Sequence, residues 1–388
     1  MPRVAIVGTG LTRWGAREAT WKELCQEAGK ALFDDVTNLD KKSIDSVFVG
    51  AAMPERFAFQ SYVTPMAAEQ LGVEPTRMAM RTEMACVSGQ AAIRAAYASI
   101  ASGLSEIALV IGVEKMNLPN LSESHSAMAS VLDREWDGVH GLNAPPYFAM
   151  VAQRHMHEYG TTREQMGLVS VKNHDFAATN PFAHYPKKVT LEKVLSSLEI
   201  APPLRLLDCS GITDGAAALV LAREDLARRH TDVPVFITGL GQATSGNLVG
   251  NLKSLTTWYP LKTAAENALK MAGISIDQVN VAETHDCFSI SEIMEYEDLG
   301  LCRKGEGGKF IEEGQSQIGG KLPINTRGGL LGCGHPLGAT GVAQAIEITW
   351  QFKSQVPQER YVGGEWGLCH NLSGNANNHA VMVLHRGG

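Results

Sequence analysis

Ser43-Ile44-Asp45-Ser46-Val47-Phe48-Val49 returns late in the chain as Ser275-Ile276-Asp277-Gln278-Val279-Asn280-Val281, and Val4-Ala5-Ile6-Val7-Gly8 is echoed by Val235-Phe236-Ile237-Thr238-Gly239. The two pairs have nearly the same offset, which points to an internal duplication. Between the paired apolar runs, Trp21–Phe33 and Pro260–Met271 carry apolar residues at helical spacing. Each half therefore reads strand, helix, strand. That alternation predicts an α/β fold of parallel strands, right-handed crossovers and a sheet covered by helices on both faces. One half is expected from residues 1–115 with about 200–230, the other from 231–388. Residues 116–199, rich in Met, His, Asn and Pro, read as an insertion with helical pieces at Tyr147–Tyr159 and Arg163–Asp175.

Composition agrees with a folded, two-part protein. The chain has 388 residues, more than one ordinary core holds, with 44% hydrophobic and 19% charged residues. A net charge of −7 with interspersed signs leaves no footprint for nucleic acid, and no Lys/Arg block suggests a membrane surface. No run of about 18 apolar residues is present, and Met1-Pro2-Arg3 leads straight into the strand Val4–Val7, so no leader is expected. Seven cysteines at irregular spacing, without a Cys-x-x-Cys pair, form neither a disulfide framework nor a structural zinc site. A reducing cytoplasm is the compartment expected.

Three loops carry groups that can do chemistry. Cys86 ends the extended run Met78–Ala85 and is followed by Val87-Ser88-Gly89 and the helix-favouring stretch Gln90–Ser102. Unpaired amide donors and the helix dipole at such a terminus favour the thiolate, the form that attacks carbonyls, although a buried core cysteine is the commoner fate. Glu283-Thr284-His285-Asp286-Cys287-Phe288 closes the apolar run Val279–Ala282, and strand alternation predicts His285 and Cys287 on one face. Gly328-Gly329-Leu330-Leu331-Gly332-Cys333-Gly334-His335-Pro336 is glycine-rich, precedes the helical pattern Val342–Gln351, and holds a histidine able to exchange protons near neutrality. None of the histidines of the insertion, His125, His140, His155, His157, His174 and His184, has a partner at convincing metal-ligand spacing, and no metal is expected.

These motifs, taken with Val110–Met116, Asp208 and Ser210, Thr213-Asp214-Gly215-Ala216-Ala217 and His370-Asn371-Leu372, resemble the thiolase superfamily over essentially the whole chain. Within it the chain is most similar to sterol carrier protein 2-type thiolases and the archaeal acetyl-CoA acetyltransferase-like group. Common thiolases carry a second catalytic thiol in a C-terminal Cys-x-Gly motif, where this chain has His370-Asn371-Leu372. Where they have Asn-Glu-Ala-Phe, it has His285-Asp286-Cys287-Phe288, as the sterol carrier protein 2 type does. The stretch Ser373-Gly374-Asn375-Ala376-Asn377-Asn378 is poorer in glycine than in relatives.

The resemblance implies two duplicated βαβαβ halves in a five-layer α-β-α-β-α sandwich, with residues 116–199 as a loop domain over the substrate. It implies Cys86 as acyl-accepting nucleophile, His335 as the base activating it, Cys287 as second acid/base, and His285 as stabiliser of an enolate oxygen. Cys369 is a rival to Cys287, although alternation aims it away if His370 points inward. Asn371 is expected to orient His335 or His285, with His370 as a second supporting residue; Asp286 and Asp214 are expected to hold loops, and Cys25, Cys209, Cys302 and Cys333 to be structural. The implied reaction is Claisen condensation or thiolysis of acetoacetyl-CoA and other 3-ketoacyl-CoA thioesters, with CoA thioesters as substrates and no cofactor. Supply of mevalonate synthesis and chain degradation both remain open. A carrier-protein ketoacyl synthase, a retro-aldolase acting on a branched or sterol side-chain acyl-CoA, and a non-catalytic scaffold subunit are the alternatives. Implied partners are a second copy paired along Met78–Cys86, a DUF35 zinc-ribbon and OB-fold protein, and a hydroxymethylglutaryl-CoA synthase.

Overall fold

The computed structural model describes residues 2–387. Nine strands form its main sheet: β1 (Val4–Leu11), β2 (Ser46–Gly50), β3 (Met78–Thr82), β4 (Ile107–Glu114), β5 (Gly215–Arg223), β6 (Val235–Thr244), β7 (Val281–Glu283), β8 (Trp366–Ser373) and β9 (Asn378–Arg386). The helices that matter for the site are α1 (Trp21–Asp35), α2 (Ser88–Ala101), α3 (Ala144–Tyr159), α4 (Arg163–Ala177), α5 (Tyr259–Ala272), α6 (Ser289–Asp298), α7 (Gly329–Cys333) and α8 (Leu337–Phe352).

The strand order, β3-β2-β4-β5-β1-β6-β9-β8-β7, contains the duplication. Read outward from the β1–β6 junction, β1-β5-β4-β2-β3 repeats as β6-β9-β8-β7, and Ile324 continues the second series through a parallel bridge to Ala282. The quoted repeat accounts for this locally. A 3₁₀ turn, Lys41–Ser43 or Ile276–Gln278, leads into the second strand of each half, β2 or β7. The halves meet through a two-pair ladder, Ala5 with Phe236 and Ile6 with Val235.

The sheet is mixed, which corrects the expectation of parallel strands throughout. β2 runs parallel to β3 and β4, and β7 to β8, but β5 is antiparallel to β1 and β4, and β9 to β6 and β8. β8 and β9 form a hairpin, which only antiparallel neighbours can do; β5 follows a connection from β4 that is long enough for either direction, and its sense is set by how that segment returns to the sheet.

Alternation along the strands sorts apolar side chains into three cores. Ala5 and Val7 of β1 pack with Leu24, Ala28 and Leu32 of α1, whereas Val4 and Ile6 face the layer of α2 and α8, with Ala92, Ile93, Val342 and Ile346. In the second half, Met382 and Leu384 face that same central layer, while Val381 and Val383 face α5 and α6. Helix, sheet, helix, sheet, helix is the resulting stack of five layers. At its centre α2 and α8 pass backbone to backbone: a Cβ on Gly89 would lie 2.6 Å from the Gly338 carbonyl oxygen. This contact brings the first turns of the two helices, and the loops that enter them, together. No described helix is long and apolar enough to cross a membrane.

Candidate active site

The Cys86 loop is held by a serine. β3 ends at Thr82, and Cys86 lies in a single 3₁₀ turn, Ala85–Val87, just before α2. Ser88 Oγ accepts from the Met84 amide at 2.9 Å and donates to the Ala85 carbonyl at 2.6 Å. Thr82 Oγ1 donates to the Ser88 carbonyl at 3.0 Å. These bonds over-determine a turn in which Ala85 takes a φ of +47°, a left-handed conformation that a non-glycine residue adopts only under constraint.

The helix terminus does not by itself ionise the thiol. Cys86 is half-buried, and burial pushes its thiol up to about 12; the nearby Glu114 and Glu83 add to the rise. Glu114 is fixed there because its carboxyl accepts from the amides of Ala52, Met53 and Gly338, joining β2, β4 and α8. The expected helix-stabilised thiolate is therefore corrected to a resting thiol, and attack requires a base at hand.

His335 is built to be that base. It follows Gly334, whose φ of +88° is left-handed, and precedes Pro336, the N-cap of α8. Its Nδ1 lies 2.7 Å from Thr340 Oγ1, and that hydroxyl donates its own hydrogen to the Pro336 carbonyl. The hydroxyl can therefore only accept from the ring, so the proton of the neutral imidazole sits on Nδ1. Nε2 is left as a bare lone pair and has no partner. Burial pushes the His335 pKa down to about 3, so the ring is neutral across the physiological range.

His285 and Cys287 come from the loop after β7. The expectation of a strand carrying both on one face is corrected: β7 stops at Glu283, and the Cys287 amide donates back to the His285 carbonyl at 2.8 Å in a tight turn. His285 is fully buried, edge-on to His335 with ring centroids 4.7 Å apart, and neither of its ring nitrogens has a partner. A buried imidazole with an unused N–H forgoes about 1–3 kcal/mol, a state typical of groups that await a ligand. Burial and the neighbouring His335 lower its pKa well below the usual imidazole value. Cys287 is 6% exposed, with Sγ 3.7 Å from Ser291 Oγ. Burial and then the Cys86 thiol raise its pKa well above the ordinary thiol value.

One donor atom each from Cys86, His285 and His335 lie within 4.8 Å of one another. Among the described residues this is the one His/Cys/Asp/Glu group with spacing suited to a metal, and it consists of the groups singled out for acyl chemistry. A thiol, a bare imidazole nitrogen and an unpaired imidazole N–H thus converge, and the second thiol, Cys287, lies near enough to Cys86 to interact with it electrostatically. Such a set can accept an acyl group, move one proton at each of two places and bind an oxyanion. A cleft of about 580 Å³ opens beside the Cys86 loop, lined by Met84 and Ala85, by Ser130 and Val131, and by Asn247, Ser373 and Asn378; none of the four reactive groups is part of its wall.

The supporting residues are only partly those expected. Asn371 bonds neither His335 nor His285: its Nδ2 donates to Gln344 Oε1, and Gln344 Nε2 in turn donates to the carbonyls of Thr284 and His370. It therefore reaches the His285 loop through Gln344. His370 is fully buried and bonded to His379. Cys369 packs in the central core with Val281 and Met382. Asp286 accepts from the Leu330 and Leu331 amides and from Asn173. Asp214 accepts from the amides of Arg17, Met116 and Asn117 and from Lys115. Both carboxylates tie loops together.

Sequence reasoning missed Lys172, Asn173, Glu292 and Glu295. Lys172 pairs with Glu292, and Asn173 Nδ2 donates to both Glu292 and Asp286, so α4 of the insertion buttresses the His285 loop from behind. The only available signal was polarity at core-facing positions of α4 and α6, which periodicity alone treats as noise. Tyr147 and Phe148 of α3 were likewise unassigned; Phe148 stacks on Phe288 at 4.5 Å.

Comparison with known proteins agrees with this geometry. The family described as "Thiolase, N-terminal domain" matches residues 4–225, and "Thiolase C-terminal domain-like" matches residues 241–386. The chain is 40% identical over 387 residues to an acetyl-CoA acetyltransferase of Methanothermobacter thermautotrophicus, covering all of both chains. It is 31% identical to sterol carrier protein 2 of Bos taurus, over 95% of this chain and 70% of that protein. A solved structure described as an Ltp2-ChsH2(DUF35) aldolase superposes with a TM-score of 0.85 at 26% identity, covering 99% of this chain and 98% of that one. With both halves matched and the duplicated five-layer fold around a paired thiol and imidazole site, the chain belongs to the thiolase family.

Proposed function

We propose that the protein is an acyl-CoA C-acetyltransferase that makes or cleaves acetoacetyl-CoA and related 3-ketoacyl-CoA thioesters through an S-acyl intermediate on Cys86. The observation that carries this reading is the bare Nε2 of His335 beside a thiol that burial keeps protonated. His335 Nε2 takes the Cys86 proton as Sγ attacks the thioester carbon. The departing CoA thiolate takes the proton of Cys287, leaving an acyl-enzyme with a His335 imidazolium and a Cys287 thiolate. That thiolate removes a proton from the α-carbon of a second acetyl-CoA while the unpaired N–H of His285 stabilises the enolate oxygen. The carbanion attacks the acyl carbon, Cys86 sulfur leaves, and His335 returns its proton. Protons balance over the cycle, and cleavage is the reverse. Full-length likeness to the archaeal acetyl-CoA acetyltransferase supports this assignment.

In this account residues 116–199 cover the substrate and the polar cleft admits the pantetheine arm. The working form is a cytoplasmic homodimer. β3 is an edge strand whose Met80 is 40% exposed, which suits pairing with a second copy. A DUF35 partner is a further proposal, prompted by the complex named in the aldolase structure. That likeness also favours one second reading, a retro-aldolase. The two are separated by assaying CoA-dependent cleavage of acetoacetyl-CoA with Cys86→Ala and Cys287→Ala, with and without a DUF35 protein. Loss of turnover in both variants supports the thiolase; CoA-independent carbon–carbon cleavage of a β-hydroxyacyl-CoA that survives Cys86→Ala establishes the aldolase.

A further inference from the structure

We propose that Glu295 is a positioning residue that works as an undissociated acid, donating its hydrogen to His370 Nδ1 so that a chain Glu295–His370–His379 clamps the His285 loop against the β8–β9 turn. The direction of the chain follows from its far end. The Ala376 carbonyl, in that turn, can only accept, so His379 Nε2 at 2.8 Å donates. A neutral imidazole carries one N–H, which leaves His379 Nδ1 as acceptor. His370 Nε2, 2.9 Å away, must then donate to it. His370 Nδ1 is left as a lone pair, and the atom facing it, at 3.3 Å, is Glu295 Oε1. Two lone pairs cannot face each other in a buried site without a proton between them. The same Oε1 accepts from the His285 amide at 3.1 Å, so one carboxyl oxygen joins the loop to the chain.

The environment agrees. Glu295, His370 and His379 are fully buried, and the two imidazoles stack with centroids 5.2 Å apart. Around Glu295 lie the Thr284 hydroxyl, which favours its charged form, Glu292, one turn earlier on α6, and Asp286, which oppose ionisation, and Lys172 of α4, which is committed to Glu292. Burial holds the Glu295 carboxyl well above the usual range and pushes His370 down to about 3. A carboxylate–imidazolium pair is thus the disfavoured arrangement. The consequence is electrostatic: an ionised Glu295 opposes charge on Cys287, whereas the neutral acid leaves room for the thiolate that the proposed cycle needs.

The kinetic consequence rests on the thiolase reading; the protonation state does not. Infrared difference spectra of the resting full-length protein, wild type minus Glu295→Gln, therefore come first. A carboxylic-acid C=O band that shifts in D₂O and is missing from the variant is expected; its presence unchanged in Glu295→Gln overturns the proposal. At the one position that must both donate to His370 and accept from the His285 amide, Gln places either an N–H or an oxygen, so Glu295→Gln keeps one of the two contacts and is expected to lose less kcat than Glu295→Ala. Glu295→Ala is expected to lose kcat by about a hundredfold with little change in KM, the penalty for a displaced reacting group. Equal damage by Gln and Ala refutes the neutral-acid arrangement. If Glu295→Ala does not fold, the infrared band and the Gln variant still decide. If the wild type shows no thiolase turnover, the functional reading fails while the infrared result stands on its own.

Discussion

Replacing Thr340 with valine tests how the base is prepared. Valine matches threonine in shape but cannot accept the His335 Nδ1 hydrogen, which Thr340 Oγ1 now takes at 2.7 Å. His335 is 5% exposed, so water does not readily replace the lost partner. An unsatisfied buried N–H costs about 1–3 kcal/mol. The ring escapes that cost by moving its proton to Nε2, which removes the lone pair that faces Cys86. At about 1.4 kcal/mol per factor of ten, the competent tautomer falls by about fivefold to 150-fold. The assay is rapid-quench measurement of Cys86 acylation in a single turnover with acetoacetyl-CoA, with Thr340→Ser alongside. Acylation is expected to slow by that range in Thr340→Val, to stay near wild type in Thr340→Ser, and to leave substrate binding unchanged. A Thr340→Val acylation rate within about twofold of wild type, below the low end of that penalty, refutes the tautomer argument.

Other perturbations have equally defined outcomes. Ser88→Ala removes the acceptor of the Met84 amide and the donor to the Ala85 carbonyl, so stability is expected to fall by about 1–3 kcal/mol in denaturant titration, with acylation slowed as the Ala85 turn relaxes. Unchanged values for both would show that the turn is held by other contacts. Gly338→Ala places a Cβ 2.4 Å from the Gly50 carbonyl oxygen and 2.6 Å from that of Val113. Overpacking of this kind costs about 1–3 kcal/mol or more, read as a lowered Tm; a Tm equal to wild type shows that the central helices can separate freely. Part of the acid sensitivity should trace to His335, beside the other buried imidazoles His285, His370 and His379. The His335 pKa is lowered from 6.5 to about 3 in the fold, so between those values the unfolded chain binds the extra proton and stability is lost as pH falls. From pH 7 to pH 5 the wild type is expected to lose about 2 kcal/mol more than His335→Gln; parallel curves for the two proteins contradict this assignment.

The parts of the molecule legible in the sequence were those fixed by local pattern. The duplicated Ser-Ile-Asp runs marked the turns into β2 and β7, and the apolar spacing of Trp21–Phe33 and Pro260–Met271 marked α1 and α5 to within two residues at each end. Strand direction was not legible. Whether β5 runs with or against its neighbours depends on how the chain returns from the insertion, which periodicity does not encode. The same limit applies to the site. Cys86, His335, His285 and Cys287 stood out as reactive types in glycine-rich or strand-ending loops. The Cys86 pKa did not, because burial and Glu114, distant in sequence, outweigh the local helix terminus. Nor did the Lys172–Glu292 and Glu295–His370 contacts, each of which joins elements more than seventy residues apart and depends on tertiary packing alone.

The central claim is that a carbon–sulfur bond forms at Cys86, and it is tested most directly by peptide mass spectrometry after acid quench of the Cys287→Ala variant incubated with acetyl-CoA. Removing Cys287 takes away the proton donor to departing CoA and the base of the condensation but leaves the His335 base, so acylation by acetyl-CoA is slowed while condensation is blocked, and an acetyl group is expected to accumulate on the peptide containing Cys86 and to be absent from the Cys86→Ala variant. An unmodified Cys86 in both the wild type and Cys287→Ala, with a DUF35 partner also present, contradicts the account.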